Sequence, residues 1–138
     1  MLPVTDQESA LFAKWFRRGR SDERRRLILT GTGPASYSLL RELQESGRFD
    51  VVALINEEPW QHKTRILNVL LHYPSELLAL CAKHQVAAVV SIEGEGWQVD
   101  SNSADALQAD GIKLIRFSEQ ETTQQRLALL RDQFQLSQ

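Results

Sequence analysis

The chain alternates short apolar runs with stretches whose apolar residues recur at three- and four-residue spacing, separated by glycine, proline and charged clusters. The first such run, residues 26–30 (Arg-Leu-Ile-Leu-Thr), reads as a buried strand and is followed at once by Gly31-Thr32-Gly33-Pro34. Leu39, Leu40 and Leu43 then fall on one side of a helix expected over 35–46. Pro34 suits the first helical position, where its missing N–H costs nothing, and Gly47 suits the left-handed residue after the helix end. A second strand is expected over 50–56, closed by Glu57-Glu58-Pro59. Together these form one βαβ unit with a right-handed crossover.

The alternation continues less cleanly. It predicts a third strand over 66–72, a helix over 74–84, a fourth strand over 86–92 and a polar loop over 93–97. A helix over 100–109, a fifth strand over 112–117 and a last helix over 119–134, with Leu127, Leu130 and Phe134 inward, complete the pattern. Strands interleaved with helices imply a parallel sheet covered on both faces. The expected fold is α/β, a Rossmann-like doubly wound sheet of order 3-2-1-4-5.

Ahead of this body, Leu11, Phe12, Trp15 and Phe16 recur as on one side of a short amphipathic helix over 6–18, and Gly19 would end it. The division is therefore an N-terminal helix and basic linker, 1–25, and a nucleotide-binding domain, 26–138. Charge follows the same division. Residues 1–26 hold seven basic and four acidic side chains, +3, and the remainder nine basic and fourteen acidic, −5. Six arginines between Arg17 and Arg26 invite a nucleic-acid reading, but an acidic body repels a phosphate backbone and no reader motif accompanies them. The amphipathic segment is expected to dock on the domain or on a second copy, giving a homodimer, with contact to an anionic membrane surface as the lesser alternative. No apolar run approaches the roughly 18–20 residues of a membrane helix, and charges stand where a signal peptide would be apolar, so a cytoplasmic location is expected.

The chemistry lies in the first turn. Gly31-x-Gly33-x-x-Ser36, directly after a strand and opening a helix, has the form of a dinucleotide-binding turn with Ser36 at the third small-residue position. Gly31 permits the sharp exit from the strand, and Gly33 lets main-chain amides approach a pyrophosphate. The amides of Gly33, Ala35 and Ser36 and the positive end of the helix dipole would face the phosphate charge. The candidate cofactor-binding residues are Gly31, Thr32, Gly33, Pro34, Ala35 and Ser36, together with Asn56 and Glu57 where a ribose would lie. Trp97, after the fourth strand, could stack on a base or close a loop by packing. Glu57 would accept ribose hydroxyls and disfavour a 2′-phosphate, while neutral Asn56 leaves NAD and NADP both open. Glu93 and Glu95, around Gly94, read as a solvated loop, with bonding to ribose or sugar hydroxyls as the functional alternative.

These segments resemble the N-terminal nucleotide-binding domain of the polysaccharide-biosynthesis nucleoside-diphosphate-sugar epimerase/dehydratase family, also described as CoA-binding-like. The resemblance covers residues 26–92, about half the chain. It rests on the stretch from Leu27 through Gly31, Gly33 and Arg41 to Leu43, on Val51 to Pro59, and on Ile66-Leu-Asn-Val69. Ser36 replaces a glycine, Asn56 an acid, and Leu70 a position that tends to be proline. The resemblance implies that catalysis in that family belongs to a second domain with a Tyr-x-x-x-Lys pair. Here Arg41 follows Tyr37 at that spacing and Leu77 follows Tyr73, so no catalytic residue is assigned. His62, His72 and His84 lack ligand spacing, and the one cysteine, Cys81, reads as a small buried hydrophobe; no metal site is expected. The expected function is a free-standing module for NAD(P), a nucleotide sugar or a CoA-like, phosphate-bearing ligand, regulatory or accessory in role. The alternatives are a subunit of an NAD(P)-dependent epimerase/dehydratase completed by a partner, and a non-binding interaction scaffold.

Overall fold

The computed structural model describes residues 24–58 and 63–135. Its strands are β1 (Arg25–Thr30), β2 (Phe49–Ile55), β3 (Arg65–Ile66), β4 (Val69–His72), β5 (Ala88–Ile92) and β6 (Lys113–Phe117). Its helices are α1 (Pro34–Ser46), α2 (Leu77–His84), α3 (Ser101–Ala109) and α4 (Thr123–Gln133). The sheet runs β3-β4-β2-β1-β5-β6, parallel throughout except for the β3–β4 pair. With β3 set aside, this is the expected 3-2-1-4-5 order.

The central strands are apolar on both faces because both faces are covered. Leu27 and Leu29 of β1 pack in one cluster with Leu39, Leu40 and Leu43 of α1 and Leu127 and Leu130 of α4. Ile28, one residue out of phase, joins a second cluster with Leu77, Leu80 and Cys81 of α2 and Leu107 of α3. Two helices therefore lie on each side, the doubly wound arrangement of a Rossmann-like fold. Gly47 ends α1 at φ 72°, in the left-handed conformation expected of it.

The structure corrects three boundaries. The third strand expected over 66–72 is a tight antiparallel hairpin, since Leu67 (φ 50°) and Asn68 (φ 70°) both adopt positive φ and reverse the chain. The helix expected from residue 74 begins as a 3-10 turn, Pro74–Glu76, before α2. The last helix begins at Thr123 rather than 119. Thr122 caps it, its hydroxyl accepting from the Gln125 N–H at 3.1 Å while the Gln125 side chain accepts from the Thr122 N–H at 2.8 Å. The segment expected as an N-terminal helix, 6–18, lies outside the described residues.

Candidate functional site

The carboxyl end of β1 lies beside that of β5, with Thr30 opposite Ser91. The connection from β1 to β2 crosses one face through α1, and that from β5 to β6 crosses the other through α3. Between β1 and β5 the winding reverses, which opens a crevice at the strand ends. The glycine turn forms one wall of this crevice and the loop after β5, residues 93–96, forms the other.

Gly33 is the N-cap of α1 and has no side chain with which to cap it, and Pro34 follows as the first helical residue. The first helical bond runs from the Tyr37 N–H to the Gly33 carbonyl at 2.9 Å. The amides of Ala35 and Ser36 precede it and have no acceptor within the helix. The Ser36 N–H instead donates to Oε1 of Glu95, 59 residues further along the chain, at 2.8 Å. An acidic oxygen thus sits at the helix N-terminus, where the backbone dipole favours it. Both glycines are needed to seat it. A Cβ on Gly33 would stand 2.6 and 2.7 Å from the two Glu95 carboxylate oxygens. At Gly31, with φ +153°, a Cβ would collide with the Glu95 main-chain oxygen and stand 2.9 Å from Ser36 Oγ.

This corrects two expectations. The Ser36 amide, expected to be open to a ligand's phosphate, already holds the chain's own carboxylate, and Glu95 is half-buried against the turn rather than a solvated loop residue. The reason is topological: the parallel β1–β5 pairing brings the loop after β5 alongside the turn after β1. A signal was present in the sequence, an acid between two glycines, Gly94-Glu95-Gly96, just after the fourth strand of the pattern.

A cleft of about 360 Å³ opens beside this contact. Thr32, Gly33 and Pro34 line it from the first turn, Asn56, Glu57 and Glu58 from the turn after β2, and residues 94–96 from the loop. Among the described residues, three carboxylates and no lysine or arginine are in its lining. Asn56 is nearly buried. Its Nδ2 donates to Thr32 Oγ1 at 2.6 Å and its Oδ1 accepts from the Glu58 N–H at 2.9 Å, so its side chain ties the two turns together. Glu57 is exposed at the rim. Ser36 is buried beneath the turn and Ala35 packs on the core. Trp97 lies outside this cleft, half-buried against the α2–α3 cluster, as a packing residue.

On the other side of Gly94 lies a second cleft of about 470 Å³, lined by Glu93, Gln98, Arg116, Phe117 and Ser118. Gln98 braces the loop between the two clefts. Its Nε2 donates to the Ile92 and Gly96 carbonyls at 3.0 and 3.3 Å, and its Oε1 accepts from Ser91 Oγ at 3.0 Å. Elsewhere, Cys81 is buried as expected, and burial, with the Asp110 charge second, pushes its thiol up to about 11. Such a thiol stays protonated and unreactive. His72 Nδ1 pairs with Glu76 Oε1 at 2.8 Å, and the other Glu76 oxygen accepts from the Tyr73 N–H at 2.9 Å, which fixes the entry to α2.

No family model matches the chain, and no curated protein matches it in sequence. Solved structures do match in fold. A UDP-D-quinovosamine 4-dehydrogenase from Vibrio fischeri is similar at 21% identity, over 83% of this chain and 88% of that one, with a TM-score of 0.57. RSP, a Rex-family repressor, is similar at 15% identity over 83% of this chain and 55% of its own, with a TM-score of 0.58. RSP in complex with β-NADH matches at 12% identity over 92% of this chain and 68% of its own, with a TM-score of 0.56. Identities this low establish a shared Rossmann-like fold. The chain spans little more than half of the first RSP structure.

Proposed function

We propose that this chain is a Rossmann-type binding module for a dinucleotide, with NAD(H) favoured over NADP(H), and that it serves as a regulatory or accessory component. The observation that carries this reading is the position of the glycine turn, which opens α1 at the switch point with Thr32, Gly33 and Pro34 on a cleft; that its Ser36 N–H holds a carboxylate oxygen at 2.8 Å supports an affinity for anions there. Two clefts side by side along the carboxyl edge, separated by the 93–96 loop, suit a two-part ligand whose pyrophosphate crosses the switch point. The dehydrogenase and the NADH-bound repressor that share the fold lend support. Glu57 and Glu58 at the rim of the first cleft, with no cation among the described residues of its lining, would repel a ribose 2′-phosphate and set the preference for NAD(H).

Calorimetric titration of the full chain with NADH and NADPH tests the reading. The expected result is saturable NADH binding, weaker NADPH binding, and a loss of about 1–3 kcal/mol in Gly33→Val, whose side chain fills the phosphate seat. Absence of binding by both nucleotides, in the wild type and in a Glu95→Ala variant, would overturn it. A second reading, a non-binding scaffold, is favoured by one observation, the carboxylate already in the seat. The Glu95→Ala titration separates the two.

A further inference from the structure

We infer that Glu95 is an internal stand-in for the ligand's phosphate: its carboxylate inhibits the site and has to swing out of the Gly31–Ser36 turn before a phosphate can enter. This rests on the binding reading above and adds a mode of regulation to it. The carboxylate and a phosphate oxygen would compete for the same Ser36 amide, and a methyl-sized group at Gly33 would already be in collision with both Glu95 oxygens. Two anions cannot share that volume at the positive end of one helix.

The geometry indicates which part moves. The Glu95 main chain is packed so closely on Gly31 that no Cβ fits between them, and Gln98 braces the loop through the Ile92 and Gly96 carbonyls. The carboxylate, at the far end of a flexible and partly exposed side chain, can rotate away while the backbone stays. In the closed state Glu95 also caps α1, doing what Gly33 cannot. The contact therefore links two measurable quantities with opposite sign: removing it weakens the fold and strengthens phosphate binding.

Glu95→Ala, Glu95→Gln and the wild type are compared for binding of NADH, inorganic pyrophosphate and adenosine, and for thermal stability. Glu45→Gln, which removes one negative charge from an exposed site at the far end of α1, controls for net charge. With the seat occupied by Glu95 at least about nine-tenths of the time, emptying it tightens binding at least about tenfold. The expected order of NADH and pyrophosphate affinity is Glu95→Ala above Glu95→Gln above wild type. Adenosine, which lacks a phosphate, shows no change, Glu45→Gln behaves as wild type, and Glu95→Ala melts at a lower temperature. Equal NADH affinity in Glu95→Ala and wild type would overturn the inference and leave the binding reading standing. A gain for pyrophosphate without NADH binding would uphold the inference and remove the dinucleotide. A lower melting temperature with no binding of either anion by wild type or by Glu95→Ala would overturn both and leave Glu95 as a structural cap.

Discussion

At the scale of single residues, the two glycines of the turn serve different needs, and substitution separates them. Gly31 has a φ of +153° and lies against main-chain atoms of Glu95, which cannot yield without moving the loop. Gly33 has an ordinary φ of −78° and lies against the far end of a side chain, which can yield. Gly31→Ala is therefore expected to cost about 2–4 kcal/mol, from strain together with overlap. Gly33→Ala is expected to cost about 1 kcal/mol, the value of a helix cap, because it only expels the Glu95 carboxylate. Urea denaturation of the two variants checks the order. Equal costs would mean that the Glu95 carboxylate at Gly33 yields no more readily than the main chain at Gly31. Asn56 has a structural part besides the one its residue type suggests. A neutral amide at the end of the second strand reads as a ribose contact, and here it lines the cleft while each end of its side chain also makes a bond within the protein.

At the scale of elements, the helix starts show why some boundaries are easier to read than others. Asp100 and Thr122 cap α3 and α4 with their own side chains, whereas α1 borrows its cap from a loop that is distant in sequence. The Asp100 carboxylate accepts the Ser103 N–H at 2.7 Å, and hydrogen bonds from Ser103 hold its carboxyl below the usual value of 3.8. A group whose pKa is lower in the folded state adds stability above its unfolded pKa, and that stability is lost as pH falls through the folded value. The Asp100 contribution is thus complete at neutral pH and disappears in acid, below about pH 4. The melting-temperature difference between wild type and Asp100→Ala, followed from pH 7 down to pH 2.5, should shrink toward zero over the acid end. A difference that stays constant over this range would show that the carboxylate is not the capping group. The β3–β4 hairpin is the converse case. The turn at Leu67-Asn68 places a leucine at positive φ, which local preference disfavours, so only the tertiary setting reveals it.

At the scale of the whole molecule, the layer architecture and the strand order were legible because the central strands are buried on both faces and the helices turn their apolar residues to the core. Leu27 and Ile28 point to opposite layers, as the period of two requires. The glycine turn was legible as well, since its spacing, its proline and the strand before it all belong to one local segment. What occupies the turn was not legible. Ser36 and Glu95 are 59 residues apart, and their meeting depends on β5 pairing with β1, a fact of topology rather than of local pattern. The same pairing makes the turn an anion seat that is filled from within, and the ligand proposed above would have to compete for it. The most direct measurement is the backbone amide resonance of Ser36 in a nitrogen-15 spectrum of the full chain, followed as NADH is added. The seat described here requires the Ser36 resonance to move saturably as one acceptor oxygen replaces another, while Gly47, at the opposite end of α1, stays in place. A Ser36 resonance unmoved through the titration would contradict it.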